Sequence, residues 1–310
     1  MPTDISQLPF LLRLIDDDSP RVRERVIEQL RAILDLGEQV RVLERAGEIA
    51  LSGAQQKVLD ALLFDIARRD NTQRVHSWLD WRDEPDATRR LEIALGALAQ
   101  WQREADNEYS IRDFHLLGIP GNGSSLDASA RDIHARDVHA LLSQKLDELC
   151  EDFRATGKPW HPEYLSAWLF VERGLSGDTL DYYDPRNSNL LDVIEGRRGN
   201  PISLTCVFVL VGARLGIDIR GCNFPGHFLA HARSGNQDLL FDCFDSGRLL
   251  SPQETNAIRK AEPHLLRAPA SPEDIIARVL RNLSVAYEHS GDFAKARFVR
   301  ELLQHLETTT

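Results

Sequence analysis

Residues 196–217 read GRRGNPISLTCVFVLVGARLGI, and the fold turns on this stretch. Two arginines flanked by glycines lead into Asn200 and Pro201. Asparagine is favoured at a helix N-cap, because its side chain accepts from the first free N–H groups. Proline suits the first helical position, where its missing N–H leaves nothing unpaired. An apolar run then extends to Leu215, and Gly216 supplies a helix stop. A helix that is apolar on nearly every side is built to be buried. Ser203 falls in its first turn, where free N–H groups and the positive end of the dipole favour a developing anion. Cys206 lies one turn deeper.

Three short strands follow: Ile219–Phe224, His227–Ala232 and Leu239–Phe244. Ser234, Gly235 and Asn236 mark a hairpin turn between the last two. Alternation puts His227, Leu229 and His231 on one face of their strand, and Leu240, Asp242 and Phe244 on one face of theirs, with Cys243 opposite. His227 and Asp242 are therefore expected side by side, as the base and orienter of a catalytic triad. A carboxylate in so apolar a strand needs a partner, and histidine supplies one. Ser203 is the candidate nucleophile. Its competing role is to cap the helix through its hydroxyl.

Cys206 is the second candidate, as a thiol. It sits about 4.5 Å further along the helix axis, whereas a nucleophile must come within about 3 Å of its base. Its neighbours Leu204, Val207, Phe208 and Leu210 predict an inert, buried thiol. The Phe224-Pro225-Gly226 turn aims His227. Phe224 and Gly226 are expected to wall a pocket completed by Asn187 and Asn200. Asp184 either lines that cleft or pairs with Arg197 or Arg198. His227 and His231 are four apart on a strand, a spacing that does not chelate, so no metal and no cofactor are expected.

The run YYDPRNSNLLDVIEGRRGNPISL, followed by ARLGI, NFPGHF, FDCFDSG and LRNLSVAY, resembles the bacterial SirB-type family of transglutaminase-like proteins with a tetratricopeptide-like tail. The match is clearest over residues 181–251. The resemblance implies a papain-like transglutaminase core, in which a helix carries the nucleophile and a sheet presents His and Asp. His227 and Asp242 match that histidine and aspartate. The superfamily's cysteine would fall between Pro201 and Ser203, where this chain has Pro, Ile and Ser, so thiol chemistry does not carry over. Two functions follow. One is a non-catalytic interaction or regulatory module, with a protein or peptide as partner. The other is a hydrolase or acyltransferase on an amide or ester, using Ser203, His227 and Asp242.

The flanks are helical. LPFLLRLI and PRVRERVIEQLRAIL carry apolar residues at helical spacing, with Ser19 and Pro20 opening the second helix. The pair is similar to one HEAT-type repeat or to part of a plain bundle. Helices are expected at Gln55–Arg69, Asp86–Trp101, His134–Ala155 and Pro162–Arg173. The tail from Ser271, broken at Gly291, reads as two antiparallel helices similar to one tetratricopeptide repeat. The expected division is a helical domain at 1–117, a linker at 118–132, an α+β core at 133–265 and a helical hairpin at 266–310.

Composition sets the outer limits. The formal net charge of -11 argues against a counterion-displacing nucleic-acid surface and against an anionic membrane. No apolar run reaches the length of a membrane span. The N-terminus MPTDISQLPF lacks the basic and apolar regions of a signal peptide. The four cysteines have no CxxC spacing, and they are expected as reduced thiols in the cytoplasm.

Overall fold

The computed structural model describes residues 7–35, 42, 45–46, 48–49, 51–59, 62, 78–116, 128–224, 227–235, 237–263, 266 and 269–308. The chain divides into two compact units, Met1–Ser77 and Trp78–Thr310.

In the first unit, α1 (Leu8–Arg13) and α2 (Pro20–Asp35) form a helical pair. Leu8, Leu11, Leu12 and Ile15 share a core with Val26, Leu30 and Ile33 of the α2 stripe. Gln55 ties the next helical stretch to this pair, donating through Nε2 to Arg13 O at 3.0 Å and Asp16 Oδ1 at 2.9 Å. The helix expected at Gln55–Arg69 is seen over residues 53–59 and at 62, and its remainder lies outside the described residues.

The second unit is α+β. Its helices are α3 (Ala87–Leu116), α4 (Ala128–Ala155), α5 (Pro162–Ser166, continuing as a π-helical turn over Ala167–Glu172), α6 (Leu190–Gly196), α7 (Pro201–Arg214), α8 (Pro252–Ala261), α9 (Pro272–His289) and α10 (Phe293–Thr308). A two-residue parallel pair joins β1 (Ser176–Gly177) to β2 (Arg198–Gly199). An antiparallel sheet runs in sequence order through β3 (Ile219–Phe224), β4 (His227–Ser234), β5 (Gln237–Asp242) and β6 (Arg248–Leu249).

Helix α7 is the centre of this unit. Every residue from Ile202 to Gly212 is buried, as an apolar run without a polar face requires. Strands β3 and β4 pack on it, and so do α3 and α4. Each buried Leu, Val or Phe contributes up to about 1.5–3 kcal/mol, so α7 accounts for much of the core. Gly212 lets helix and sheet approach closely: a Cβ there would stand 2.7 Å from Ile219 Cδ1 and 3.1 Å from the Ile217 carbonyl. At the helix C-terminus Arg214 pairs with Glu92 of α3 at 2.7 Å and Asp147 of α4 at 2.8 Å.

Two expected boundaries move. The unit boundary falls at Ser77/Trp78, before the expected break at 117, because α3 belongs to the core. Trp101 on α3 stacks on Phe298 at 4.7 Å and meets Tyr287 edge-on at 6.0 Å, which fastens α3 to the C-terminal hairpin. Helix α4 begins at Ala128, inside the expected linker; residues 118–127 lie outside the described residues. The third strand also ends earlier than expected. Asp242 Oδ1 accepts from the N–H groups of Phe244 at 3.2 Å and Asp245 at 3.1 Å, which turns the chain out of the sheet before Phe244. Asp184 pairs with Arg186 rather than with Arg197 or Arg198, because the 3-10 turn Pro185–Ser188 folds Arg186 back onto it.

Candidate functional site

The tip of α7 is held by a reciprocal cap. Asn200 Oδ1 accepts from Ile202 N at 3.1 Å and Ser203 N at 2.9 Å. Ser203 Oγ in turn accepts from Asn200 N at 3.1 Å. The serine hydroxyl has one proton to give, and its short contact is to Asn187 O at 2.7 Å, with Asn200 O further away at 3.1 Å. Ser203 is 0% exposed. Its oxygen is thus a bridge between α7 and the preceding loop, and the hydroxyl serves both partners of a capping box.

The residues expected to wall a pocket also hold this tip. Asn200 Nδ2 donates to Ser188 Oγ at 2.9 Å, and Asn187 Nδ2 donates to Asp181 O at 2.8 Å. Both side chains are buried. Phe224 is buried with Cys222, Leu229, Leu240 and Leu250. Gly226 lies outside the described residues.

The sheet does bring His227 and Asp242 together, at 2.8 Å between Nε2 and Oδ2. Ala230 pairs with Phe241, so the register places Leu229 opposite Asp242 and His227 at the diagonal position, within reach of a long side chain. The imidazole is 43% exposed and the carboxylate 9%. Asp242 accepts at Nε2, which leaves Nδ1 as the remaining ring nitrogen. A second diagonal pair sits further along the same strands. His231 Nε2 meets Asp238 Oδ1 at 3.0 Å, and Arg259 of α8 binds the other oxygen of Asp238 at 2.6 Å.

The structure does not join Ser203 to this pair by a hydrogen bond. Strand alternation explains the separation. His227 and Asp242 share the face of Leu229 and Leu240, which packs toward Leu250 and Ile258. The opposite face carries Phe241, whose ring meets Phe208 of α7 at 5.4 Å. The helix tip and the His–Asp pair are thus built onto different faces of the sheet.

The thiols are all buried and free. Burial pushes Cys206 far above the ordinary thiol range, with a further push from neighbouring Cys243. Burial raises Cys243 and Cys222 to about 12 and Cys150 to about 11. A thiol held so high is a poor nucleophile at neutral pH. Among the described residues no cluster of His, Cys, Asp and Glu could hold a metal ion.

Arg278 and His289 go unmarked in the sequence analysis, and Phe244 is placed there only on a strand face. Phe244 sits against Gly177, where a Cβ would come within 2.5 Å of its ring. Its ring also lies 5.9 Å from that of Tyr182. Tyr183 stacks on His289 at 4.0 Å. Arg278 could have been noticed as a basic residue inside the apolar stripe of Ile275, Ile276, Val279 and Leu280; the aromatic contacts depend on loops that carry no periodicity.

Comparison with known proteins bears on the same region. The chain is 38% identical over 144 residues to a UPF0162 protein of Xylella fastidiosa, covering 43% of this chain and 50% of that protein. It is 31% identical over 127 residues to a UPF0162 protein of Vibrio cholerae, covering 38% and 46%. A shorter stretch of 77 residues is 32% identical to mouse F-box only protein 21, covering 25% of this chain and 12% of that one. The chain thus spans about half the length of the bacterial relatives it matches. No solved structure matches it with significance. Residues 136–281, which contain α7, the antiparallel sheet and the His227–Asp242 pair, match the model of the transglutaminase-like superfamily.

Proposed function

We propose that this chain is a transglutaminase-like protein without a working nucleophile, and that it acts as an interaction or regulatory module with a protein or peptide partner in the cytoplasm. The observation that carries this reading is the fully buried Ser203 hydroxyl, committed to Asn187 O and to the helix cap. A nucleophile must reach both its base and its substrate, and this oxygen faces neither. Cys206, one turn deeper, is buried with its thiolate disfavoured. The helical pair of the first unit and the C-terminal hairpin fit binding surfaces of the HEAT and tetratricopeptide kind. The SirB-type assignment belongs to the same proposal.

The second reading is an acyl hydrolase or acyltransferase, favoured by the exposed imidazole oriented by Asp242. Turnover of activated esters and of peptide amides separates the two. The non-catalytic reading expects rates equal to buffer and unchanged in Ser203→Ala and His227→Ala. Saturable turnover lost in both variants would establish the enzyme instead.

A further inference from the structure

The guanidinium of Arg278 is a half-buried cation that belongs neither to the helix cap nor to the His227–Asp242 pair. It rises from α9 among Ile275, Val279 and Leu280, and Nη1 donates to Phe224 O at 2.9 Å and to Asn223 Oδ1. The ring of Phe228 lies 5.5 Å from its Cζ. These partners are neutral, and among the described residues no carboxylate pairs with Arg278. Burial lowers its pKa, nearby Arg281 lowers it further, and Tyr182 acts in the opposite direction. A guanidinium withdrawn from water without an anion is an unbalanced charge.

Its surroundings suit one kind of ligand. Phe224 pairs in register with His227, so Arg278 binds the strand end that carries His227, but on the Asn223 and Phe228 face, opposite the imidazole. Tyr182, within electrostatic reach of Arg278, packs edge-on against Tyr183 at 5.3 Å. Both tyrosines are more than two-fifths exposed, and Leu180 beside them is 98% exposed. The Nε and Nη2 edge of the guanidinium makes no hydrogen bond among the described residues, and this edge binds a planar carboxylate through two parallel bonds.

We propose that Arg278, held against Phe228 at the strand end, recognises a carboxylate on an acidic segment of a protein partner, while the exposed Leu180–Tyr183 loop receives the apolar residues beside it. This rests on the interaction-module reading and names the chemistry of the partner. Arginine recognition of an acidic motif and an aromatic platform for its neighbours are a recurrent pairing in peptide binding.

The test is a titration of the full chain, followed by NMR at the Arg278 side-chain Nε–H. Three peptides serve: a doubly blocked pentapeptide with central Glu between leucines, its Gln counterpart, and an N-blocked peptide ending in a free carboxylate. The site predicts a saturable shift with a carboxylate peptide and none with the Gln peptide. A response to the Glu peptide assigns a side-chain carboxylate; a response to the free terminus assigns a chain end. Arg278→Lys, which keeps the charge and loses the fork, is expected to weaken binding by roughly tenfold. Equal binding of Glu and Gln peptides, no binding at several millimolar, or unchanged affinity in a folded Arg278→Lys overturns the proposal. If that variant does not fold, the comparison of peptides on the unaltered chain still decides. Cleavage of a bound peptide that requires His227 would overturn the non-catalytic reading and leave the carboxylate site standing, whereas absent binding with absent turnover removes the site alone.

Discussion

Ser203 shows how one side chain can occupy a catalytic address while doing structural work. Its oxygen accepts one hydrogen bond and donates one, both inside the protein. Removing it leaves the buried Asn200 amide and Asn187 carbonyl with only their longer mutual hydrogen bond at 3.3 Å, where a buried group left wholly unsatisfied would cost about 1–3 kcal/mol. That remaining bond and partial relaxation of the cap reduce the cost. Ser203→Ala is therefore expected to lose about 1–2 kcal/mol of stability, read as a lower urea midpoint with an unchanged slope. A stability equal to the unaltered protein would mean that the cap is not formed. The role was legible at the sequence level as one of two: Asn200-Pro201 announced the helix start, but the acceptor at Asn187 is sixteen positions away and belongs to a loop.

The elements were read more completely than their ends. Helix α7, the first two strands of the antiparallel sheet and both C-terminal helices stand where apolar periodicity, Pro and Gly placed them. The third strand slipped by two residues because Asp242 turns back on its own backbone, a local bond that competes with the ladder. Helix α3 ran well past Trp101, since no glycine or proline follows until Gly118. The approach of α7 to the sheet was not legible at all, because it depends on Gly212 meeting Ile219 across the core. Gly212→Ala gains about 1 kcal/mol of helix propensity, yet it forces a methyl onto Ile219 and toward the Ile217 carbonyl. Overpacking costs about 1–3 kcal/mol, so the expected result is a lower melting temperature, and a higher one would show that the interface yields.

Helix α8 offers a pH test at the same scale. Glu254 Oε2 accepts from the Ser251 backbone N–H at 2.7 Å and its hydroxyl at 2.8 Å. These bonds, with Arg248, hold its carboxyl at about 2, below the ordinary value of about 4.3. The carboxylate thus supports the cap fully above about 4.3, and that support is lost as pH falls toward 2. Amide exchange in the first turn of α8 should quicken over this interval. Exchange that stays flat across it would contradict the capping box.

At the scale of the molecule, the two units differ in what could be foreseen. The sequence has no apolar run of membrane-spanning length, and among the described residues no helix is long and apolar enough to cross a membrane. The boundary was misplaced because GIPGNGSSLD is rich in turn formers, whereas the attachment of α3 rests on Trp101 finding Phe298 and Tyr287 nearly two hundred positions later. A fragment of residues 78–310 is expected to unfold in one cooperative transition, and a fragment of 118–310, stripped of α3, to lose it. Retention of the transition in the shorter fragment would return the boundary to the glycine-rich stretch.

The central claim is that the helix tip carries no nucleophile, and covalent labelling tests it most directly. The folded chain is exposed at neutral pH to a fluorophosphonate and to iodoacetamide, and intact mass is measured. With Ser203 buried and every thiol raised to about 11 or above, at most about one thiol in ten thousand is ionised. No adduct is expected on the native protein, and four alkylated cysteines are expected once it is unfolded. A stoichiometric adduct on Ser203 or Cys206 of the folded chain, abolished by His227→Ala, would contradict the claim.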